Sequence, residues 1–117
     1  MDGIFNAKIT GTMLGFEDHG IFTFMVHCDG EFGSVGFGGY TVGNLDSHVE
    51  DQTVFGPTLI ARILKCADVE QWEKLIGRPV RVRLEGNRCV DLGHFLKQDW
   101  VFPSHLAKRF WGSDVKV

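Results

Sequence analysis

The chain has 117 residues, of which 44% are hydrophobic and 23% charged, with a net charge of −3. That size fits one domain over residues 1–117, and the composition excludes disorder for the bulk of the chain. No apolar run approaches the roughly 18 residues of a membrane-spanning helix, and Met1-Asp2-Gly3 carries no basic or apolar leader pattern, so neither a span nor a secretory signal is expected.

Residues 4–14 alternate, with Phe5, Ala7, Ile9 and Met13 on one face and Asn6, Lys8, Thr10 and Thr12 on the other. This pattern predicts a half-buried strand. Gly15 and Gly20 bracket the polar tip Phe16-Glu17-Asp18-His19, which suits a hairpin loop. Residues 21–28 predict a second strand, with Phe22, Phe24 and Val26 pointing one way and Thr23 and His27 the other. Asp29-Gly30 turns the chain. Residues 32–42 predict a third strand, bent or bulged at Gly38-Gly39.

Residues 43–55 are polar and read as an excursion without regular structure. Gly56-Pro57 then opens a helix, since proline's missing N–H is harmless there. Leu59, Ile60, Ile63, Leu64 and Ala67 recur at helical spacing. Asp68 reads as the N-cap of a second short helix, VEQWEKL, with Gln71 at the capping-box position and Gly77 as its stop.

Residues 79–85 alternate, Val80, Val82 and Leu84 inward and Arg81, Arg83 and Glu85 outward. After Glu85-Gly86-Asn87 turns the chain, residues 88–97 read as the last strand, placing Val90, Leu92, His94 and Leu96 on one face. The tail from Trp100, with a helical turn over SHLAKRFW, is aromatic enough to dock. The expected fold is α+β: about five antiparallel strands in a curved sheet or partial barrel, in the order β-β-β-α-α-β-β.

Charge is unevenly spread. Residues 1–61 hold eight acids and one base, giving −7; residues 62–117 hold eleven bases and seven acids, giving +4. The halves can neutralise each other, or the acidic half can face a basic partner. An acidic chain is a poor candidate for strong non-specific nucleic-acid binding. The odd count of cysteines (Cys28, Cys66, Cys89), without CxxC spacing, points to reduced thiols in a cytosolic setting.

Chemistry could sit in several places. Phe37, Gly38, Gly39 and Tyr40 lie in a glycine-rich strand that lacks both the P-loop and the G-x-G-x-x-G pattern. Its amides could hold an anion while the rings stack a base; equally, the glycines could make room for packed phenylalanines. Arg81 and Arg83 share a strand face and could grip a phosphate, or pair with Glu85 and Asp91. His94 falls on an apolar face, either as a hydrogen-bonded core residue or as an acid/base. Lys97, Asp99 and Trp100 cluster at the strand end. Glu17, Asp18 and His19 stand in a row, but neighbours in a strand point apart, and no metal, cofactor or catalytic residue is assigned.

The set LGFEDHGIFTF, VGFGGYTVG, VEQWEKLIGRPVRVR and LGHFLKQDW resembles a family of small proteins encoded in tailed-phage and prophage genomes, over residues 8–102. The polar insertion at 43–55 is longer than the family pattern, and the last 15 residues lie outside it. The resemblance implies a phage accessory product in the bacterial cytoplasm that acts on host machinery, including defence systems. Three functions follow as expectations. One is an inhibitor that binds a host protein through Glu17, Asp18, His19, Asp29, Glu31 and Trp100. The next is a protein that sequesters a nucleotide-like molecule through Phe37, Gly38, Gly39, Tyr40, Arg81, Arg83 and His94. The third is a hydrolase using His94 or His19. Sheet edges and the aromatic tail also offer surfaces for a homodimer.

Overall fold

The computed structural model describes residues 2–17, 21–44 and 55–106. The strands are β1 (Gly3–Glu17), β2 (Ile21–Gly30), β3 (Gly33–Asn44), β4 (Pro79–Glu85), β5 (Arg88–His94) and β6 (Trp100–Val101). Helix α1 (Phe55–Cys66) lies between β3 and β4, followed by a single 3₁₀ turn at Trp72–Lys74. All pairings are antiparallel, in the order β3-β2-β1-β4-β5-β6, so β3 and β6 are the edges of an open sheet.

This corrects the expected five-stranded α+β arrangement in two places. First, β6 is an extra strand: Trp100 and Val101 pair with Gly93 and Leu92. The last strand therefore ends at His94 instead of running to residue 97. Second, the helix expected at residues 69–75 does not form. Asp68 takes a left-handed backbone (φ 58°) and ends α1 where it was expected to start a new helix. The amide of Asp68 donates to the carbonyl of Lys65 and that of Val69 to Leu64, the paired bonds of a Schellman ending. Val69, Trp72 and Leu75 then recur every third residue, which suits a 3₁₀ turn, and Leu75 is fully buried. Gln71 makes no side-chain cap. Gly77 (φ 93°) donates to Ile9, and Ile9 donates to Arg78, which delivers the chain to β4.

β1 joins two halves of the sheet. Its first part pairs with β4 (Gly3↔Leu84 through Lys8↔Pro79) and its second with β2 (Lys8↔Asp29 through Glu17↔Ile21). A register shift between Ile9 and Gly11 marks the change. An inserted residue reverses the facing of all that follows. Ala7 and Ile9 face the core as expected, but Met13 pairs with Met25, while Thr12 and Leu14 oppose the buried Val26 and Phe24.

The core lies on the inner face of the bent sheet and is closed by α1. It contains Ile9, Phe24, Val26, Cys28, Phe37, Val80, Val82, Leu92 and Val101, with Leu59, Ile63 and Cys66 from the helix. Of the apolar stripe read from the sequence, Leu59, Ile63 and Ala67 are buried while Ile60 and Leu64 are partly buried, and Cys66 joins the core from outside that stripe. Burying each large side chain contributes about 1.5–3 kcal/mol. The expected bend in β3 is present: the β2–β3 register shifts opposite Gly38 and Thr41, and Gly38 (φ 133°) and Gly39 (φ 80°) hold backbone angles that favour glycine. The tail is described as far as one helical turn, where the Leu106 amide donates to Phe102 and the Leu106 side chain is buried. Most of the 43–55 excursion lies outside the described residues.

Candidate functional site

The register of β4, β5 and β6 sorts the side chains into rows. Val80 lies opposite His94 on the inner face; Arg81, Gly93 and Trp100 form one outer row, and Arg83 and Asp91 another. His94 is 7% exposed. Its Nε2 lies 2.6 Å from Oδ2 of Asp68. Its Nδ1 accepts hydrogen bonds from the amides of Leu96 and Lys97, both at 2.9 Å. Two amide donors at Nδ1 fix the lone pair there, so Nε2 carries the proton and donates to Asp68. Both ring nitrogens are therefore engaged. That bond holds the Asp68 carboxyl below its ordinary pKa.

The backbone around His94 is tied down as well. Its amide donates to the carbonyl of Asp99 at 2.8 Å, which also accepts from the Cys66 thiol at 3.3 Å. Arg81 donates from Nε to the carbonyl of His94 at 2.8 Å and from Nη2 to that of Lys97 at 2.7 Å. Its guanidinium sits 5.1 Å from the centre of the Trp100 ring, a cation–π contact. The indole packs flat on Gly93: a Cβ there would meet the ring at 2.5 Å. The ion pair of Lys65 with Asp99 is 3.9 Å long and largely exposed, so it adds little.

The result is a short loop after β5 held from both ends and from beneath. Leu96 stands on it 78% exposed, and Phe102, just beyond β6, is 37% exposed. The Trp100 and Phe102 rings stack at 6.2 Å with 19° between their planes, and His105 lies 5.0 Å beyond Phe102.

The residues singled out from the sequence are scattered over this frame. Phe37 is fully buried and Tyr40 nearly so, in an aromatic cluster with Phe24. Their rings fill the core, and a Cβ on Gly38 would strike the Phe24 carbonyl at 2.5 Å. The glycines here make room for packed rings. Arg81 and His94 meet at the loop, whereas Arg83 turns away to Asp91 (2.5 Å) and Glu85 (3.1 Å). Asp29 and Glu31 are exposed at one end of β2. Glu17 pairs by its backbone with Ile21 at the other end, about 27 Å away at about 3.4 Å per residue. The acidic set is thus split between two ends of the sheet; Asp18 and His19 lie outside the described residues.

Asp68 and Leu96 were not singled out as site residues. Asp68 is 26 positions from His94, so no local pattern joins them. The three thiols are buried. Burial pushes Cys28 and Cys66 up to about 12, and Cys89 higher still. Burial also raises Asp91 above the usual carboxylate value, with Arg83 opposing it. Among the described residues, no helix is long and apolar enough to cross a membrane. Compared with protein families and with curated proteins, the chain matches none.

Proposed function

We propose that the protein acts by binding another protein, as a phage-encoded inhibitor of a bacterial host factor in the host cytoplasm. The contact surface in this reading is the loop after β5 together with Arg81, Trp100 and Phe102. The observation that carries it is the pinned loop: His94, Arg81 and Cys66 fix its backbone while Leu96 projects into solvent. A surface leucine on a preordered loop loses little conformational entropy on binding. Aromatic rings and an arginine beside it are the residue types that dominate interface energies. The engagement of both His94 nitrogens favours a scaffold role for that residue over proton transfer. The phage origin and the host target rest on the sequence resemblance.

The test is affinity capture from bacterial lysate with identification by mass spectrometry, using wild type, Leu96→Asp and the distant control Glu31→Lys. Capture of one protein that survives Glu31→Lys and drops at least tenfold with Leu96→Asp supports the reading. Capture unaffected by Leu96→Asp, or lost with Glu31→Lys alone, contradicts it and returns the contact to the acidic end of β2.

A further inference from the structure

We propose that the loop after β5 is a proton-sensitive latch: neutral His94 closes it, and a proton on His94 Nδ1 releases Leu96 and Lys97. The latch is a single acceptor. His94 Nδ1 takes the amides of the residues two and three positions on, each at 2.9 Å. This is the pattern of an Asx turn, with an imidazole nitrogen standing where an asparagine oxygen would be. The amide oxygen of asparagine does not titrate, whereas an imidazole ordinarily takes up a proton at about pH 6.5. A proton on Nδ1 occupies the lone pair that both amides use and turns the acceptor into a donor facing two N–H groups. The closed loop and the imidazolium therefore exclude each other.

The charged groups around the ring leave that exclusion in force. Asp68, at the end of α1, meets the other nitrogen, Nε2. That contact does not involve Nδ1, so Asp68 can anchor the ring with the loop closed or released. From β4, Arg81 donates to the carbonyls of His94 and Lys97, and just before it Arg78 donates to that of Ala67. Lys97 and Arg78 both favour the Asp68 carboxylate. On α1, Arg62 and Lys65 lie within electrostatic reach of Cys66, and Lys65 pairs with Asp99. Among the described residues, cations thus outnumber the carboxylates Asp68 and Asp99, and nothing in this set draws a proton to Nδ1 while the loop is closed. Release is also local. The His94 amide to the Asp99 carbonyl and the bonds of Arg81 do not use Nδ1, so the β5–β6 frame stays while the segment carrying Leu96 opens. The latch concerns the loop itself and holds whether or not Leu96 meets a partner.

The experiment is NMR of the full chain across pH 7.5 to 5.0, following the ring nitrogens of His94 and the exchange of its loop amides relative to an unstructured peptide at the same pH. Asp68 is held below the ordinary carboxylate value and stays ionised over this range. At pH 7.5 the His94 proton should reside on Nε2. Each unit below the imidazole value shifts a proton-linked opening by up to about tenfold. Protection of Leu96 and Lys97 should therefore fall at least tenfold by pH 5.0, while the β1–β2 amides keep theirs. His94→Asn supplies an acceptor that does not titrate, and its loop protection should change less than threefold. Should that variant fail to fold, the wild type decides alone, because loss of protection must share its midpoint with protonation of the ring. Unchanged wild-type protection at pH 5.0, an equal loss in His94→Asn, or a proton on Nδ1 at pH 7.5 would overturn the latch. Capture through Leu96 is read at neutral pH with His94 intact, so either reading can fail without the other.

Discussion

Asp68 Oδ2 and His94 Nε2 lie 2.6 Å apart, and this contact joins the end of α1 to the end of β5. Asp68 reaches it from a left-handed backbone, a conformation that aspartate tolerates better than most residues. One residue therefore ends the helix and orients the imidazole that holds the loop. Asp68→Asn keeps both the backbone tolerance and a side-chain acceptor, and should melt close to wild type. Asp68→Ala loses both and should melt lower. Thermal denaturation at pH 7 checks the order; equal melting points for Asn and Ala would show that the contact contributes nothing. Because its pKa is lowered in the fold, the contribution of Asp68 is present above the ordinary carboxylate value and fades as pH falls through the folded one.

His94→Ala should cost about 2–4 kcal/mol, because a buried side chain is removed and the Leu96 and Lys97 amides lose their acceptor at a partly buried site. Urea denaturation measures it. A loss below about 0.5 kcal/mol would mean that water replaces the imidazole without penalty.

Gly93 and Trp100 form a matched pair across β5 and β6. Gly93→Ala places a methyl group into the indole and should cost about 1–3 kcal/mol by overpacking. In a Trp100→Ala background most of that penalty should vanish. A double-mutant cycle on the denaturation free energies reads the coupling, and additive losses would contradict the stacked geometry.

The buried thiols give an alkaline prediction. A pKa near 12 for Cys28 and Cys66, against an ordinary 9.0, means that the folded state keeps protons which the unfolded state releases. Stability is thus intact below about pH 9 and declines as pH rises towards 12. Iodoacetamide at pH 8 should leave all three cysteines untouched in the native protein and modify them in denaturant. Rapid native labelling of Cys66 would show that the β5–β6 loop opens readily.

The parts of the structure legible in the sequence are those set by local periodicity. The inward faces of β4, the stripe on α1 and the bend at Gly38-Gly39 were all readable, as was the placement of His94 on an apolar face. Three features were not. The register shift before Gly11 reverses Met13 and leaves no sequence mark. β6 is two residues long, too short for a pattern. Asp68 suits a helix start and a left-handed helix end alike, and only its 26-residue reach to His94 distinguishes them. The loop shares this difficulty, since much of its order comes from Arg81 and Cys66, which adjoin it in space and not in sequence.

Amide hydrogen exchange of Leu96 and Lys97 tests most directly whether this loop is held in place. Their N–H groups donate to His94 Nδ1, so both should exchange at least a hundredfold more slowly than in an unstructured peptide, and His94→Ala should abolish that protection while the β1–β2 amides stay protected. Exchange of both amides at unstructured rates in the wild type would contradict a preordered loop, and with it the binding surface built on Leu96.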